Sequence, residues 1–475
     1  MAAIGHRGFA ALFCCQLLAA FNDNVLRNAL VVTVLWGGAT GQRSGGMFVT
    51  LAGACFVLPY LVLSGLGGAL ADKLDKALLA ERLKRWELAV AAVAAVGLLL
   101  HNLPLLFVAL LGFGAIAALF APLKYAILPE LLDRPHLPLG NALIEGATFL
   151  AILAGGLCGT LVTATRDSGI AATLPIVTLV LAASLFCWLA ARAIPALPAA
   201  LPDLAVPRRP LGSSLALLGG LRREPGLWRA SLYAAWFWLT GTLVLAMLPV
   251  VVHDTLAGGT AVASLALLAF SLGIGGGTLL GARLVRRRPG LSLCRPATVA
   301  MGLLLLDLAR RNRGLSLALS GTGIVVACSE LMLLAAAAGL LVVPAMTMIQ
   351  VWSPVLHRAR HVGGGNVLSA LAMLIGTGLA TLGQALGLSA LDILGLLGAA
   401  CLPAGLLMSP GPDQHLFPTA QAAISTNRIP SRSLPLHERA HAPGRDRPAF
   451  LRSPRLPARS RGGRAAARRR PGGHR

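Results

Sequence analysis

Charge is scarce in this chain: Asp, Glu, Lys and Arg make up 12% of its 475 residues, against roughly a quarter in an average soluble domain. Aromatic residues are scarcer still, at 5%. So little charge cannot cover a water-exposed surface, which excludes a soluble globular enzyme. The familiar enzyme signatures are missing too. No Walker loop, GxSxG or HExxH occurs, and the glycine triplets at 275–277 and 363–365 lie in apolar runs rather than after a strand. The histidines His6, His101, His136, His253, His357 and His361 fall at loops or run ends, and no catalytic or metal-binding constellation forms around them. None of the eight cysteines sits in a CxxC or a Cys/His cluster, so they read as small buried hydrophobes. The chain is expected to be neither an enzyme nor a holder of cofactor or metal.

What is abundant is apolar residues, at 56%, with a mean hydropathy of +0.75. A helix needs about 20 apolar residues to cross a bilayer, and runs of that length recur from residue 8 to 409. They are placed at 8–36, 46–71, 86–102, 105–127, 139–163 and 170–193, then at 227–252, 259–283, 292–308, 328–352, 362–387 and 388–408. The stretch from 315 to 328 is apolar without a clear boundary. The first run is about twice the length of a signal-peptide core and lacks a convincing small-residue cleavage site, so it is read as a retained helix. The pattern predicts an all-α membrane protein of about twelve transmembrane helices in two bundles of six. The first bundle takes residues 1–193 and the second residues 227–408. A proline-rich interdomain loop, 194–226, carries an amphipathic stretch near Leu215.

The net charge of +23 is unevenly spread. Residues 409–475 hold 14 arginines, no lysine and three acids, with too few large apolar residues to bury a core, so this tail is expected to be disordered. Its arginine, proline, alanine and glycine vocabulary reads as out-of-frame translation of a GC-rich gene from near Pro410, or else as a basic tail drawn to anionic lipid. Elsewhere the basic residues sit mostly in short loops, and no nucleic-acid partner is expected. With the N-terminus inside, twenty Lys and Arg fall on the cytoplasmic side, Lys84 and Lys124 among them. Five fall opposite: Arg43, Arg166, Arg310, Arg311 and Arg313. Both termini are therefore expected in the cytoplasm.

Two strings repeat across the halves: GALADKLDK at 68–76 and GARLVRRR at 281–288. A duplicated bundle is how many secondary transporters are built. The first string has a mechanical rationale as a conformational gate. Gly68 permits close helix approach, and Asp72 at a helix end can accept hydrogen bonds from a neighbouring terminus in one state and release them in the other. Lys73 and Lys76 hold the loop on its side of the membrane.

An ionisable group at mid-helix costs about 2.5–3.5 kcal/mol on insertion scales and needs a partner or a function. The densest such cluster is on the first run: Gln16, Asn22, Asp23, Asn24, Arg27 and Asn28. At about 100° per residue, Asp23, Gln16 and Arg27 lie within about 40° of one another. Asp23 and Arg27 are spaced to pair within the helix. The cluster reads either as the polar wall of a cavity binding a charged headgroup or as glue between helices. Asn141 and Glu145 share a face of the fifth run, with Thr148 nearby. They fit a headgroup contact or gate as well as an interfacial hydrogen bond. Asp307, Glu330, Gln350, Asn366, Gln384 and Asp392 are scattered near predicted ends and read as capping or packing groups.

The string at 68–76 resembles the helix 2–3 signature of the major facilitator superfamily. FNDNVLRNAL (21–30), FAPLKYAILPELL (120–132) and GNALIEGATFLAIL (140–153) resemble its lysophospholipid-transporter branch, as do VVPAMTMIQ (342–350) and HRAR (357–360) more weakly. The resemblance implies a monomeric transporter moving lysophospholipids, such as lysophosphatidylethanolamine, from the outer to the inner leaflet of a bacterial inner membrane. Asp23, Asn24 and Asn28 would touch the headgroup, with membrane lipids around the chain and an acyltransferase as partner. Two other readings stay open: a facilitator for a drug or another small molecule, and a non-transporting membrane partner of an acyltransferase.

Overall fold

The computed structural model describes residues 7–36, 42–160, 170–254, 260–311 and 321–408. Helix is the dominant element because lipid offers no hydrogen bonds, so each spanning segment must satisfy its own backbone. In the first half, α1 is Arg7–Trp36, α2 Gln42–Lys73, α3 Lys76–Leu99, α4 Leu103–Leu131, α5 Leu137–Thr160 and α6 Ile170–Arg192. A short helix, α7 (Pro210–Arg222), follows in the linker. The second half holds α8 (Pro225–Asp254), α9 (Thr260–Arg287), α10 (Cys294–Arg311), α11 (Gly321–Trp352), α12 (Arg358–Ala385) and α13 (Ala390–Leu407). The tail from 409 lies outside the described residues.

Within the first half α1 packs on α5 and α6, α2 on α4, and α3 on α4 and α6. The second half repeats the scheme, with α9 on α11, α10 on α13 and α8 on α12. Two seams join the halves: α2 lies along α12, and α5 along α9. The result is two six-helix bundles with α7 against α2 and α12.

Ten of these helices are long and apolar enough to cross a membrane, among the described residues. The sequence pattern predicts about twelve, and the two that fall short are α3 and α10, each bearing charge along a helix that still packs inside its bundle. The third helix begins ten residues before its expected start at 86. Asp75 caps it, its carboxylate accepting the N–H groups of Ala77 and Leu78 at 2.9 and 3.0 Å. That extension corrects the placement of Lys84, which is not in a loop but 1% exposed within α3. Lys124 is corrected in the same way, buried inside α4. The eleventh helix starts at Gly321, inside the stretch the sequence left without a boundary. The last is opened by a capping box of Ser389 and Asp392.

The turn between α2 and α3 is tied to the linker. Leu201 donates its N–H to the Asp72 carbonyl at 2.7 Å, and Leu197 pairs with the Lys76 backbone N–H at 3.0 Å. The Leu197 N–H reaches the Asp75 carboxylate at 3.0 Å. Lys73 Nζ donates to the Leu204 carbonyl at 2.7 Å, while Lys76 pairs with Glu130 at 2.9 Å. Asp75 thus serves both as helix cap and as linker anchor.

Candidate functional site

Where α2 meets α12, small residues bring the two backbones together. A Cβ placed on Gly68 would lie 2.7 Å from the Ala359 carbonyl oxygen, and one on Gly363 would lie 2.7 Å from that of Ser64. At this crossing Asp72, 1% exposed, accepts the Ala359 N–H at 3.2 Å and the Arg360 Nε at 3.0 Å. The carboxylate thus closes on the first turn of α12, where backbone N–H groups have no intrahelical partner. One turn away Asn141 of α5 and Gln350 of α11 exchange reciprocal amide hydrogen bonds at 2.8 and 2.9 Å, and Asn141 also donates to Thr347 at 3.1 Å. The Gln350 carbonyl in turn accepts from Arg358 Nε at 3.1 Å. A cavity of about 380 Å³ lies beside this contact, lined in part by Glu130, Asp133, Arg134, Gln350 and Arg358. In this state the two bundles are latched together on the face that carries Lys73, Lys76 and Arg360.

Deeper in the first bundle lies a group of charges. Lys84 and Glu87, three residues apart on α3, form an ion pair at 2.6 Å with both side chains almost fully buried. The Lys84 ammonium sits 4.1 Å above the Phe120 ring and that of Lys124 sits 4.6 Å from the Tyr125 centroid. Tyr125 donates its hydroxyl to Glu145. Asp23 is within electrostatic reach of Lys84, Glu87 and Lys124, and Lys124 within that of Glu145. One oxygen of Glu87 and one of Glu145 are buried without a hydrogen-bond partner. Three carboxylates and two ammonium groups from four helices therefore share one interior.

The residues singled out on α1 divide. Gln16 donates to Thr148 of α5 at 2.9 Å. Asn22 turns away to α6, donating to the Val180 carbonyl at 2.9 Å and to Ser184 at 2.7 Å, fully buried. It is spent on helix packing. Asn24 and Asn28 bond back to carbonyls of their own helix, Ala20 and Asn24, and lie against Gly155, Gly156 and Gly159 of α5. The expected Asp23–Arg27 pair does not form: no ion pair joins them among the described residues, and Arg27 is exposed. The counter-charges near Asp23 come instead from α3 and α4, because the packing of those helices brings Lys84 and Lys124 inward. Sequence reasoning missed Lys84, Glu87, Lys124 and Tyr125 as site residues. The signal for Lys124 and Tyr125 was present, since they interrupt an otherwise apolar run at 103–129; that for Lys84 depends on where α3 begins.

The second bundle meets α5 in a buried aromatic cluster. Phe149 of α5 packs edge-on to Phe237 at 5.7 Å, stacks on Trp238 at 6.2 Å and meets Phe270 at 6.0 Å. Asp307, Arg311 and Glu330 form an ion-pair group between α10 and α11, at 2.9 and 3.3 Å.

Among the described residues, twelve long helices form two similar bundles, latched at α2–α12 around a buried carboxylate, an architecture built as many secondary transporters are. The family model of the Major Facilitator Superfamily matches residues 12–330, and the chain belongs to that superfamily. Among solved structures it is similar to the human organic anion transporter MFSD10, with a TM-score of 0.66 and 19% identity over 85% of this chain and 99% of that one. It is also similar to the Escherichia coli fucose:proton symporter, with a TM-score of 0.62 and 17% identity over 85% and 98%. These likenesses establish the fold. Among curated proteins it is 33% identical to the lysophospholipid transporter LplT of Serratia proteamaculans over 196 residues, which are 41% of this chain and 45% of that one. It is 27% identical to LplT of Klebsiella pneumoniae over 397 residues, 80% and 90% of the two chains.

Proposed function

We propose that the protein is a secondary transporter of lysophospholipids, carrying them from the outer to the inner leaflet of a bacterial inner membrane. The observation that carries this reading is the interior charge group of Asp23, Lys84, Glu87, Lys124 and Glu145. A zwitterionic headgroup carries a phosphate and an ammonium. Lys124 makes no ion pair among the described residues and suits the phosphate; Asp23 likewise suits the ammonium. The aromatic cluster of Phe149, Phe237, Trp238 and Phe270 carries no charge, so a state in which the helices part there would give an acyl chain an apolar path. The similarity to lysophospholipid transporters over most of the chain supports the same substrate class.

The cytoplasm is assigned to the face bearing Asp72 and Arg360. The basic residues collect there, and Trp188 and Trp228 lie 5.3 and 5.6 Å from Arg192 and Arg222, as interfacial aromatics do. Arg311, on the opposite face, is neutralised by Asp307 and Glu330. In this assignment both termini are cytoplasmic, the first bundle is 1–193, the linker 194–226 and the second bundle 227–408. The protein acts as a monomer, and an acyltransferase consumes the delivered lysophospholipid.

The test is movement of labelled lysophosphatidylethanolamine into the inner leaflet of cells lacking their own transporter. It compares the full chain with Asp23→Asn and Lys124→Met. Uptake by wild type with at least about tenfold loss in both variants is expected, equivalent to one charge-assisted hydrogen bond. No uptake by well-expressed, inserted protein would overturn the reading.

A further inference from the structure

A helix in a loop facing water is expected to turn polar residues outward. Linker helix α7 does the opposite. Ser214, Leu217 and Leu221 face the protein, whereas the outward side holds Leu211, Gly212, Leu215, Ala216, Gly219 and Gly220, with no polar side chain among them. Leu211 and Leu215 are 46% and 49% exposed. Both serines of the helix are satisfied without water: Ser213 Oγ donates to the Pro210 carbonyl of its own helix at 2.7 Å, and Ser214 Oγ donates inward to the Val62 carbonyl of α2 at 2.9 Å. Exposed arginines bracket this apolar side, Arg208 and Arg209 before it and Arg222 and Arg223 after it. Arg222 stacks over Trp228. The nearest acids along the chain are Asp203 and Glu224, both beyond the bracketing arginines.

The inner face of α7 touches the gate. Ser214 accepts the Gly65 N–H at 3.1 Å, and Leu217 lies 3.7 Å from a Cβ built on Gly363 and 3.5 Å from one on Gly364. The helix therefore bridges α2 and α12 at the seam that Asp72 closes. Its apolar outward side, flanked by cations, is the composition of a helix lying in the headgroup layer.

We propose that α7 binds the anionic phospholipid surface of the cytoplasmic leaflet and latches the α2–α12 seam from there. Arg208, Arg209 and Arg223 hold the lipid phosphates while Leu211 and Leu215 enter the acyl boundary. Because the same helix bonds α2 and packs on α12, its hold on the lipid surface biases the closed state of that seam. The inference rests on the topology proposed above.

The experiment is hydrogen–deuterium exchange on the full chain in nanodiscs of phosphatidylcholine alone and of phosphatidylcholine with phosphatidylglycerol. Exchange over residues 208–223 is expected to slow roughly fivefold with the anionic lipid, the effect of about one well-placed arginine. Addition of salt should reverse the effect. In the Arg208→Gln, Arg209→Gln, Arg223→Gln variant the lipid difference should vanish, while Leu215→Glu should raise exchange in both lipids. Equal exchange of the wild-type chain in the two lipids would overturn the proposal, as would protection conferred by a soluble protein and not by lipid. Lipid-dependent protection in a chain without lysophospholipid uptake would sink the transport reading and leave this one standing. Uptake by a chain whose α7 ignores lipid charge would do the reverse.

Discussion

Asp72 and Arg360 lie 288 residues apart and meet at 3.0 Å, with the Asp72 carboxylate almost wholly enclosed. The pair spans the seam between the bundles and bonds the side chain of one helix end to the opening turn of another. Asp72→Asn keeps the shape and removes the charge. A charge-assisted hydrogen bond contributes about 1.5–3 kcal/mol, so the closed form should lose at least roughly tenfold in population. Spin-label distances between the ends of α2 and α12 would report it. An unchanged distance distribution would remove Asp72 from the latch.

The glycines of the same crossing set its spacing. Gly68→Val and Gly363→Val each drive a side chain into a backbone carbonyl 2.7 Å away, and neither carbonyl can move without its helix. Overpacking of this kind costs about 1–3 kcal/mol. Both variants should insert normally yet transport at a small fraction of the wild-type rate. Near-normal uptake by either would show that the helices need not approach this closely.

Lys84 and Glu87 test burial. Removing one member of a buried pair leaves the other uncompensated, at about 3–5 kcal/mol, whereas replacing both with apolar groups is often neutral. Lys84→Met alone should lower the melting temperature in detergent sharply, and Lys84→Met with Glu87→Met should recover most of the loss. If the double variant is as unstable as the single, Lys84 has a second partner whose charge matters more.

Asn141 and Gln350 are coupled by two hydrogen bonds between bundles. A double-mutant cycle on the melting temperature with Asn141→Ala and Gln350→Ala should give an interaction of about 1–2 kcal/mol. Additive losses would mean that the contact carries no coupling.

Much of this architecture was legible because apolar run length is a strong signal: twelve long helices among the described residues follow the runs, most with ends moved by a few residues and α3 and α11 with starts moved further. The exceptions have two causes. The start of α3 was hidden because a helix capped by Asp75 carries charged residues for three turns before its apolar half, and hydropathy reads such turns as loop. Lys84 and Glu87 were lost with it. On α1, periodicity groups Gln16, Asp23 and Arg27 on one face, yet Gln16 and Asp23 are buried and Arg27 is exposed, because a helical wheel does not say which neighbour each residue meets. Asn22 bonds α6, and Asp23 finds its counter-charges on α3 and α4 rather than four residues along its own chain. Contacts across 60 or 100 residues depend on packing, which one sequence without its relatives does not encode locally.

The linker's attachments have a further consequence. Leu197, Leu201 and Leu204 are all bound to the turn between α2 and α3, so they travel with the first bundle. Only residues 205–209 separate the last of these anchors from α7. Fully extended, the six Cα–Cα steps from Leu204 to Pro210 reach roughly 20–22 Å. The long connection between the halves is therefore a short leash: while those anchors hold, the near end of α7 can move no farther than that from the first bundle, whatever amplitude the bundles themselves would allow.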